Sequence, residues 1–249
     1  MKRIYLDYAA ATPVDLHVKE AMEPFWSENF ANPSSIHQEG REAKKILEDS
    51  RRRISSLIGA KPAEIIFTSG ATEANNLAIF ATSKLFQKGH IITATIEHPS
   101  VLEPIGELEK RGFEVTYLEA GPDGIIDLED VKKALRPNTI LVSIGYASSE
   151  IGTIQPIHEI GKIFKNHDCL FHTDASQAAG FLNLNVEYLG ADFISVNAAK
   201  IYGPKGIGFL YKRSNLKIEP VIFGGGQEEG ARAGTENIPL IAGFAKALE

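Results

Sequence analysis

Two side chains in the second half of the chain have the types and spacing to do chemistry together. Asp174 stands in His172-Thr173-Asp174-Ala175-Ser176-Gln177. Lys200 follows in Asn197-Ala198-Ala199-Lys200-Ile201-Tyr202-Gly203-Pro204-Lys205-Gly206. A lysine amine can condense with an aldehyde. A carboxylate can hold a proton on a ring nitrogen, so that the ring draws electrons from a carbanion attached to it. A carboxylate at the end of an apolar strand is costly to bury without a partner. Its ordinary partner would be an arginine or a helix start; the chemically interesting one is a protonated pyridine nitrogen. A lone lysine is ordinarily a solvated charge, and Lys205 is read as one. Lys200 differs, because a strand delivers it and the small residues Ala198 and Ala199 precede it. Together the two groups are what a pyridoxal 5′-phosphate (PLP) site requires.

Other loops at expected strand ends carry matching groups. Ser69-Gly70-Ala71-Thr72 joins a strand to a helix. Small residues there let backbone N–H groups at the helix start approach a phosphate, and Thr72 adds a hydroxyl donor. An ordinary glycine turn before a helix would give the same pattern. His98, in Ile96-Glu97-His98-Pro99, could stack on a cofactor ring and relay protons. A loop histidine without a role fits the same residues. Gln177, three residues after Asp174, can donate to a phenolate oxygen. Cys169 and His172 are three apart in one expected strand, so they face opposite ways and make a poor metal pair. No metal site is expected.

These loops need a scaffold. Strand-like and helix-like patterns alternate along most of the chain, which predicts an α/β fold with a mostly parallel central sheet flanked by helices. Strands are expected at Glu64–Thr68, His90–Ala94, Phe113–Leu118, Ile140–Ile144, Leu170–Thr173 and Phe193–Val196, with Gly208–Tyr211 beside them. Helices are expected at Val101–Lys110 and Leu128–Leu135, and from near Pro156. Ser35 with Gln38 reads as a capping box opening a helix that Gly59 stops. Residues 1–33 read as an N-terminal arm, with a helical stretch near Leu16–Trp26, and residues 34–249 as the cofactor-binding large domain. Ile238, Ile241, Ala242, Ala245 and Leu248 have helical spacing up to Glu249 without a cap. That pattern predicts a chain cut inside a helix, a fragment of a longer one.

Composition narrows the function classes. The 249 residues are 43% hydrophobic and 23% charged, with a net charge of −6 and no long charged runs. Nucleic-acid binding is not expected, because phosphate contacts need clustered Lys and Arg. No stretch approaches the roughly 20 apolar residues of a membrane helix. Asp7 falls where a signal peptide needs an apolar run. The single cysteine, Cys169, allows no internal disulfide and fits a reducing compartment. A cytoplasmic setting is expected.

Taken in order, the motifs resemble the cysteine desulfurase branch of the class V aminotransferase family, of the NifS/IscS kind. They are Tyr5-Leu6-Asp7-Tyr8-Ala9-Ala10, Phe67-Thr68-Ser69-Gly70-Ala71-Thr72-Glu73, Glu97-His98, Glu150-Ile151-Gly152, the Asp174 and Lys200 segments, Gly224-Gly225-Gly226-Gln227-Glu228, and Arg232-Ala233-Gly234-Thr235. The resemblance covers essentially the whole chain. It implies the large domain of a type I PLP-dependent transferase fold, with the C-terminal small domain missing, and a homodimer with active sites at the interface. It implies that Lys200 bonds the cofactor aldehyde, Asp174 pairs with the pyridine nitrogen, His98 stacks on the ring and Gln177 meets the phenolate oxygen. Ala71 and Thr72 would hold the phosphate, with Thr235 reaching the phosphate of a second copy and Asn32 lying near the substrate. By position, Ser149, Asn197, Ala198 and Ala199 would also contact the cofactor.

The implied reaction takes L-cysteine to L-alanine. The sulfur passes as a persulfide to an acceptor protein, an Fe–S scaffold or one serving tRNA thiolation. The persulfide-forming cysteine and the carboxylate-binding arginine would lie beyond residue 249; Cys169, expected inside a buried strand, is no substitute. Three positions depart from the family pattern. Asn197-Ala198-Ala199 stands where Ser-Gly-His or similar is usual, Ser148-Ser149 where Asn-Asn is usual, and Ala11 where threonine is usual. Each lost hydrogen bond to a charged group would cost about 1.5–3 kcal/mol. These departures keep open a non-catalytic subunit that binds or dimerises. The segment expected beyond residue 249 would decide whether the chain is instead a relative acting on another amino acid, such as a selenocysteine lyase or a small-substrate aminotransferase.

Overall fold

The computed structural model describes residues 4–165 and 167–249. Met1, Lys2 and Arg3, the start of the expected arm, lie outside the described residues. Seven strands form one sheet: β1 (Ile65–Thr68), β2 (His90–Ala94), β3 (Glu114–Leu118), β4 (Thr139–Ser143), β5 (Leu170–Asp174), β6 (Phe193–Asn197) and β7 (Gly208–Lys212). Their spatial order is β1-β7-β6-β5-β4-β2-β3. Strand β7 runs antiparallel to both neighbours and every other pair is parallel. Strands β1 to β6 therefore share one direction, and their carboxyl ends open on one edge.

The central strands are apolar runs because both faces of the sheet are covered. Successive side chains point to opposite faces. Ile92, Val142, Phe171, Ile194 and Phe209 enter one core; Ile91, Leu141, Leu170, Phe193 and Leu210 enter the other. Each such side chain removed from water contributes about 1.5–3 kcal/mol.

The helices are α1 (Leu16–Met22), α2 (Pro24–Ser27), α3 (Gln38–Leu57), α4 (Ala71–Leu85), α5 (Pro99–Lys110), α6 (Leu128–Ala134), α7 (Ile157–Phe164), α8 (Val186–Leu189) and α9 (Ile238–Leu248). The first core takes Leu47 and Ile54 of α3, Ile160 of α7 and Phe244 of α9. The second takes Leu77 of α4 and Val101 and Ile105 of α5.

Several details differ from the expectations. The stretch Leu16–Trp26 is two short helices, because Pro24 has no N–H to continue α1. The cap of α3 is His37, whose Nδ1 accepts from Gly40 N at 3.3 Å, and not Ser35. Ser35 instead donates its backbone N–H to Asn32 O. Gly59, with φ of 71°, follows α3 as expected. Cys169 is buried, but it sits one residue before β5. Helix α8 was not expected: four residues are too few to show a period. Its signals are local, an Asn185 side-chain cap and a left-handed Gly190.

The arm is tied to the body before α1 begins. Thr12, buried to 5% exposure, accepts the Tyr202 N–H at 2.8 Å on its hydroxyl and donates that hydroxyl to Ala199 O at 3.1 Å. Tyr202 has a left-handed φ of 60°, a conformation that costs a bulky residue about 1–3 kcal/mol unless its surroundings hold it. Thr12 is one such restraint. The arm and the Lys200 segment are thus one structural unit.

Candidate functional site

Five of the parallel strands end at the same edge, and each delivers polar groups to it. After β1 comes Gly70, whose φ of 148° only glycine adopts without strain. A side chain on Gly208 of β7 would come within 2.8 Å of the Gly70 backbone, so this turn is pressed against the sheet. The turn opens the 15-residue α4 with no side-chain cap. The N–H groups of its first turn therefore face outward at the positive end of the helix dipole, a natural anion seat. Glu73 stabilises the same turn from beside it, accepting from Ser69 N at 2.7 Å and from Arg232 Nε at 2.7 Å. Burial alone would raise the Glu73 pKa; the hydrogen bonds from Arg232 and Ser69 outweigh it and hold the carboxyl below its ordinary range.

Asp174 is the last residue of β5. Its Oδ1 accepts from Ser176 N at 2.9 Å and its Oδ2 from Asn75 Nδ2 at 2.7 Å. Asn75, fully buried on α4, donates a second time, to Ser100 Oγ at 2.9 Å. Ser100 Oγ lies 2.8 Å from Nδ1 of His98, and the Ser100 N–H donates to that same nitrogen at 3.0 Å. Beneath Asp174, on the same face of β5, His172 spans two strands. Its Nδ1 lies 2.8 Å from Ser143 Oγ and its Nε2 3.0 Å from Ser195 Oγ. Burial pushes His172 down to about 4, with the Asp174 charge opposing, so the imidazole is neutral at ordinary pH.

Lys200 lies in the short helical turn Ala198–Lys200 after β6. Its Nζ donates to Ala9 O and Ala10 O, each at 2.7 Å. Gln177 Nε2 donates to the same Ala9 O at 3.2 Å and to Ser149 Oγ at 2.9 Å. Glu97 accepts from Gly145 N at 2.8 Å. Loss of hydration raises its carboxyl to about 8, and the Asp174 charge adds to the effect.

One cavity of about 510 Å³ is lined by Ala71, Thr72, His98, Asp174, Gln177 and Lys200 among others, with Ser149, Glu97, Ser100, Ser176 and Asn197 also on its wall. Other expected residues lie outside it. Ala198 is fully buried. Ala199 gives its carbonyl to Thr12 and its N–H to Asn197 Oδ1 at 3.1 Å, and Asn197 itself lines the cavity. Thr235 is exposed away from the cavity, and Asn32 turns its Oδ1 to Ser34 N at 2.8 Å. The sequence reading gave no role to Asn75, Ser100, Glu97, His172 or Thr12. Asn75 had a signal: it is four residues after Ala71, one turn along the same helix face. Among the described residues no group of His, Cys, Asp and Glu could hold a metal ion, and no helix is long and apolar enough to cross a membrane.

The fold and this strand-end cavity define the class. The chain belongs to the aminotransferase class-V family, whose model matches residues 4–249, and its fold is that of type I PLP-dependent transferases. It is 55% identical over its full length to a cysteine desulfurase IscS of Dictyoglomus turgidum. It is 50% identical, again over its full length, to a putative cysteine desulfurase IscS 1 of Bacillus subtilis. A solved structure of SspA in complex with cysteine superposes with a TM-score of 0.95 at 47% identity, covering 99% of this chain and 72% of that one. The chain spans 64% and 66% of the length of the two curated relatives.

Class V aminotransferases use PLP. The cavity fits that group chemically. It offers an amine for an aldehyde, a carboxylate for a ring nitrogen, an uncapped helix start for a phosphate and an imidazole beside them. The buried Ser176 Oγ on its wall has no hydrogen-bond partner, which leaves a polar atom for an occupant.

Proposed function

We propose that the whole protein is a PLP-dependent cysteine desulfurase, converting L-cysteine to L-alanine and passing the sulfur on as a persulfide, and that this chain carries its cofactor-binding body. The observation that carries the reading is the convergence of Lys200, Asp174 and the α4 N-terminus on one cavity. When bound there, PLP supplies an electron-accepting ring that stabilises the charge left on the substrate Cα.

The roles of this chain's residues follow from their chemistry. Lys200 Nζ would hold the cofactor at its aldehyde carbon, and its amine is the group placed to move the substrate Cα proton. Asp174, held by Ser176 N and Asn75 Nδ2, keeps a proton on the ring nitrogen. The amides of Ala71 and Thr72 and the Thr72 hydroxyl hold the phosphate, and Asn197 adds a donor from its amide nitrogen. His98, on the cavity wall, would lie against one face of the ring. Gln177, tied to Ser149, orients toward the phenolate oxygen. Ser149 thus works through Gln177, which accommodates a serine where asparagine is usual in the family.

In this reading residues 34–249 are the cofactor-binding domain. The arm, residues 1–33, bears on the lysine through the Ala9 and Ala10 carbonyls. Thr235 and Asn32, exposed and outside the cavity, serve a second copy's phosphate and the substrate in a homodimer. The sulfur acceptor is an Fe–S scaffold or tRNA-thiolation protein, and the compartment is the cytoplasm. Cys169 takes no part, because burial raises its thiol to about 11. The test is stoichiometric release of alanine and sulfide from L-cysteine by the longer gene product with a thiol reductant. Alanine without sulfide, or turnover of other amino acids at equal rates, would replace the desulfurase reading by another class V activity.

A further inference from the structure

We propose that Asn75 and Ser100 are positioning residues that lock His98 as a neutral imidazole with its proton on Nε2, through a one-way hydrogen-bond chain anchored at Asp174. The inference deepens the reading of His98 as a cavity residue and rests on it. The direction of the chain follows from donor and acceptor counting. The Asp174 carboxylate only accepts, so the Asn75 group 2.7 Å from its Oδ2 is the amide nitrogen. The same Nδ2 lies 2.9 Å from Ser100 Oγ, so both of its hydrogens are used and Ser100 Oγ accepts one of them. The single Ser100 hydroxyl hydrogen is then free for His98 Nδ1, 2.8 Å away. The Ser100 backbone N–H points at that nitrogen too, from 3.0 Å. A ring nitrogen that receives two donors carries no hydrogen of its own, so the neutral ring's proton is on Nε2.

The bond pattern leaves one buried acceptor unpaired. Asn75 is fully buried, and its Oδ1 has no hydrogen-bond partner. An unsatisfied buried carbonyl of this kind is destabilising. Rotating the amide would set its oxygen against the Asp174 carboxylate, which only accepts, and lose that bond. The arrangement therefore trades one orphaned acceptor for a fixed polarity from Asp174 to His98. Its consequence is that His98 offers the cavity a donor, the Nε2–H. In the proposed reaction His98 gives a hydrogen bond or a proton at Nε2 before it can accept one.

The tautomer is read directly, with no cofactor bound, by long-range ¹H–¹⁵N correlation on protein labelled at its seven histidines. His98 is assigned by its loss in His98→Gln. The expected spectrum has the proton on Nε2 in roughly tenfold or greater excess and a hydrogen-bonded acceptor signal at Nδ1. A proton on Nδ1, or two tautomers in comparable amounts, overturns the proposal without any variant being needed. In Ser100→Ala the Nδ1 resonance moves downfield, toward an unbonded nitrogen, and Ser100→Thr restores it. Asn75→Leu moves it in the same direction as Ser100→Ala, since nothing then directs the hydroxyl. An Nδ1 signal in Ser100→Ala identical to the wild type also overturns the chain. Separate titration with PLP keeps the two readings apart. A locked tautomer in protein that binds no PLP leaves this inference standing and removes the functional one; mixed tautomers in protein that does bind do the reverse.

Discussion

Replacing Glu97 by glutamine should remove most of the pH dependence that this residue imposes on folding. The carboxyl sits on the cavity wall, accepts one N–H from Gly145 at 2.8 Å and faces the Asp174 charge. Loss of hydration is the largest cause of its rise to about 8 from 4.5, and Asp174 acts in the same sense. A raised carboxyl binds its proton more tightly folded than unfolded. Its contribution is complete below about pH 4.5, falls as pH climbs through the interval, and is gone above about pH 8. At roughly 1.4 kcal/mol per pH unit, the interval sets a ceiling of about 5 kcal/mol. Water at the open cavity relaxes part of the charge, which brings the expected loss to about 2–4 kcal/mol. Glutamine keeps the acceptor for the Gly145 N–H and never ionises. Guanidinium unfolding of both proteins near pH 5 and near pH 9 isolates the effect, since every other titrating group is common to them. The wild type should lose about 2–4 kcal/mol more than Glu97→Gln between the two conditions. Equal losses in the two proteins would refute the argument that this carboxyl is neutral when folded.

Two further outcomes follow from buried groups away from the cavity. Arg51 holds Glu228 through two bonds of 2.8 Å, and Glu228 Oε2 also takes the Phe67 N–H at 2.8 Å. Glu228→Ala takes the bidentate partner from a buried cation, leaving it the Ile65 carbonyl at 2.7 Å and Glu48 at 3.4 Å, and should cost about 3 kcal/mol in denaturant unfolding. Glu228→Gln keeps an acceptor for Phe67 and should cost about 1–3 kcal/mol. Cys169, with its thiol raised to about 11 by burial, should react with a disulfide reagent at neutral pH only as fast as the protein opens, and at once in guanidinium.

The scaffold was legible because its signals are local or periodic. Strand His90–Ala94 was bounded correctly, and β5 and β6 each gained only their last residue, Asp174 and Asn197. The residues that bear directly on the cavity carry reactive groups, and so Lys200, Asp174, His98 and Gln177 could be picked out one by one. What could not be read is pairing across the fold. Nothing local to Asn75 says that a carboxylate 99 positions on will meet its amide, or that Thr12 will hold the turn after Lys200. The Ser35 cap failed for a related reason: Ser35 fits the capping-box pattern, but the chain turns two residues later and a histidine takes the role. Ser149 stands where asparagine is usual in the family; its partner is Gln177, a contact that only the folded chain reveals.

The central claim is that Lys200 anchors the cofactor in this cavity. Titrating the protein with PLP, against Lys200→Ala under the same conditions, tests it most directly. The account predicts a visible absorption band that saturates with the wild type, survives gel filtration and is absent from Lys200→Ala. The same band in both proteins, or none in the wild type, would contradict it.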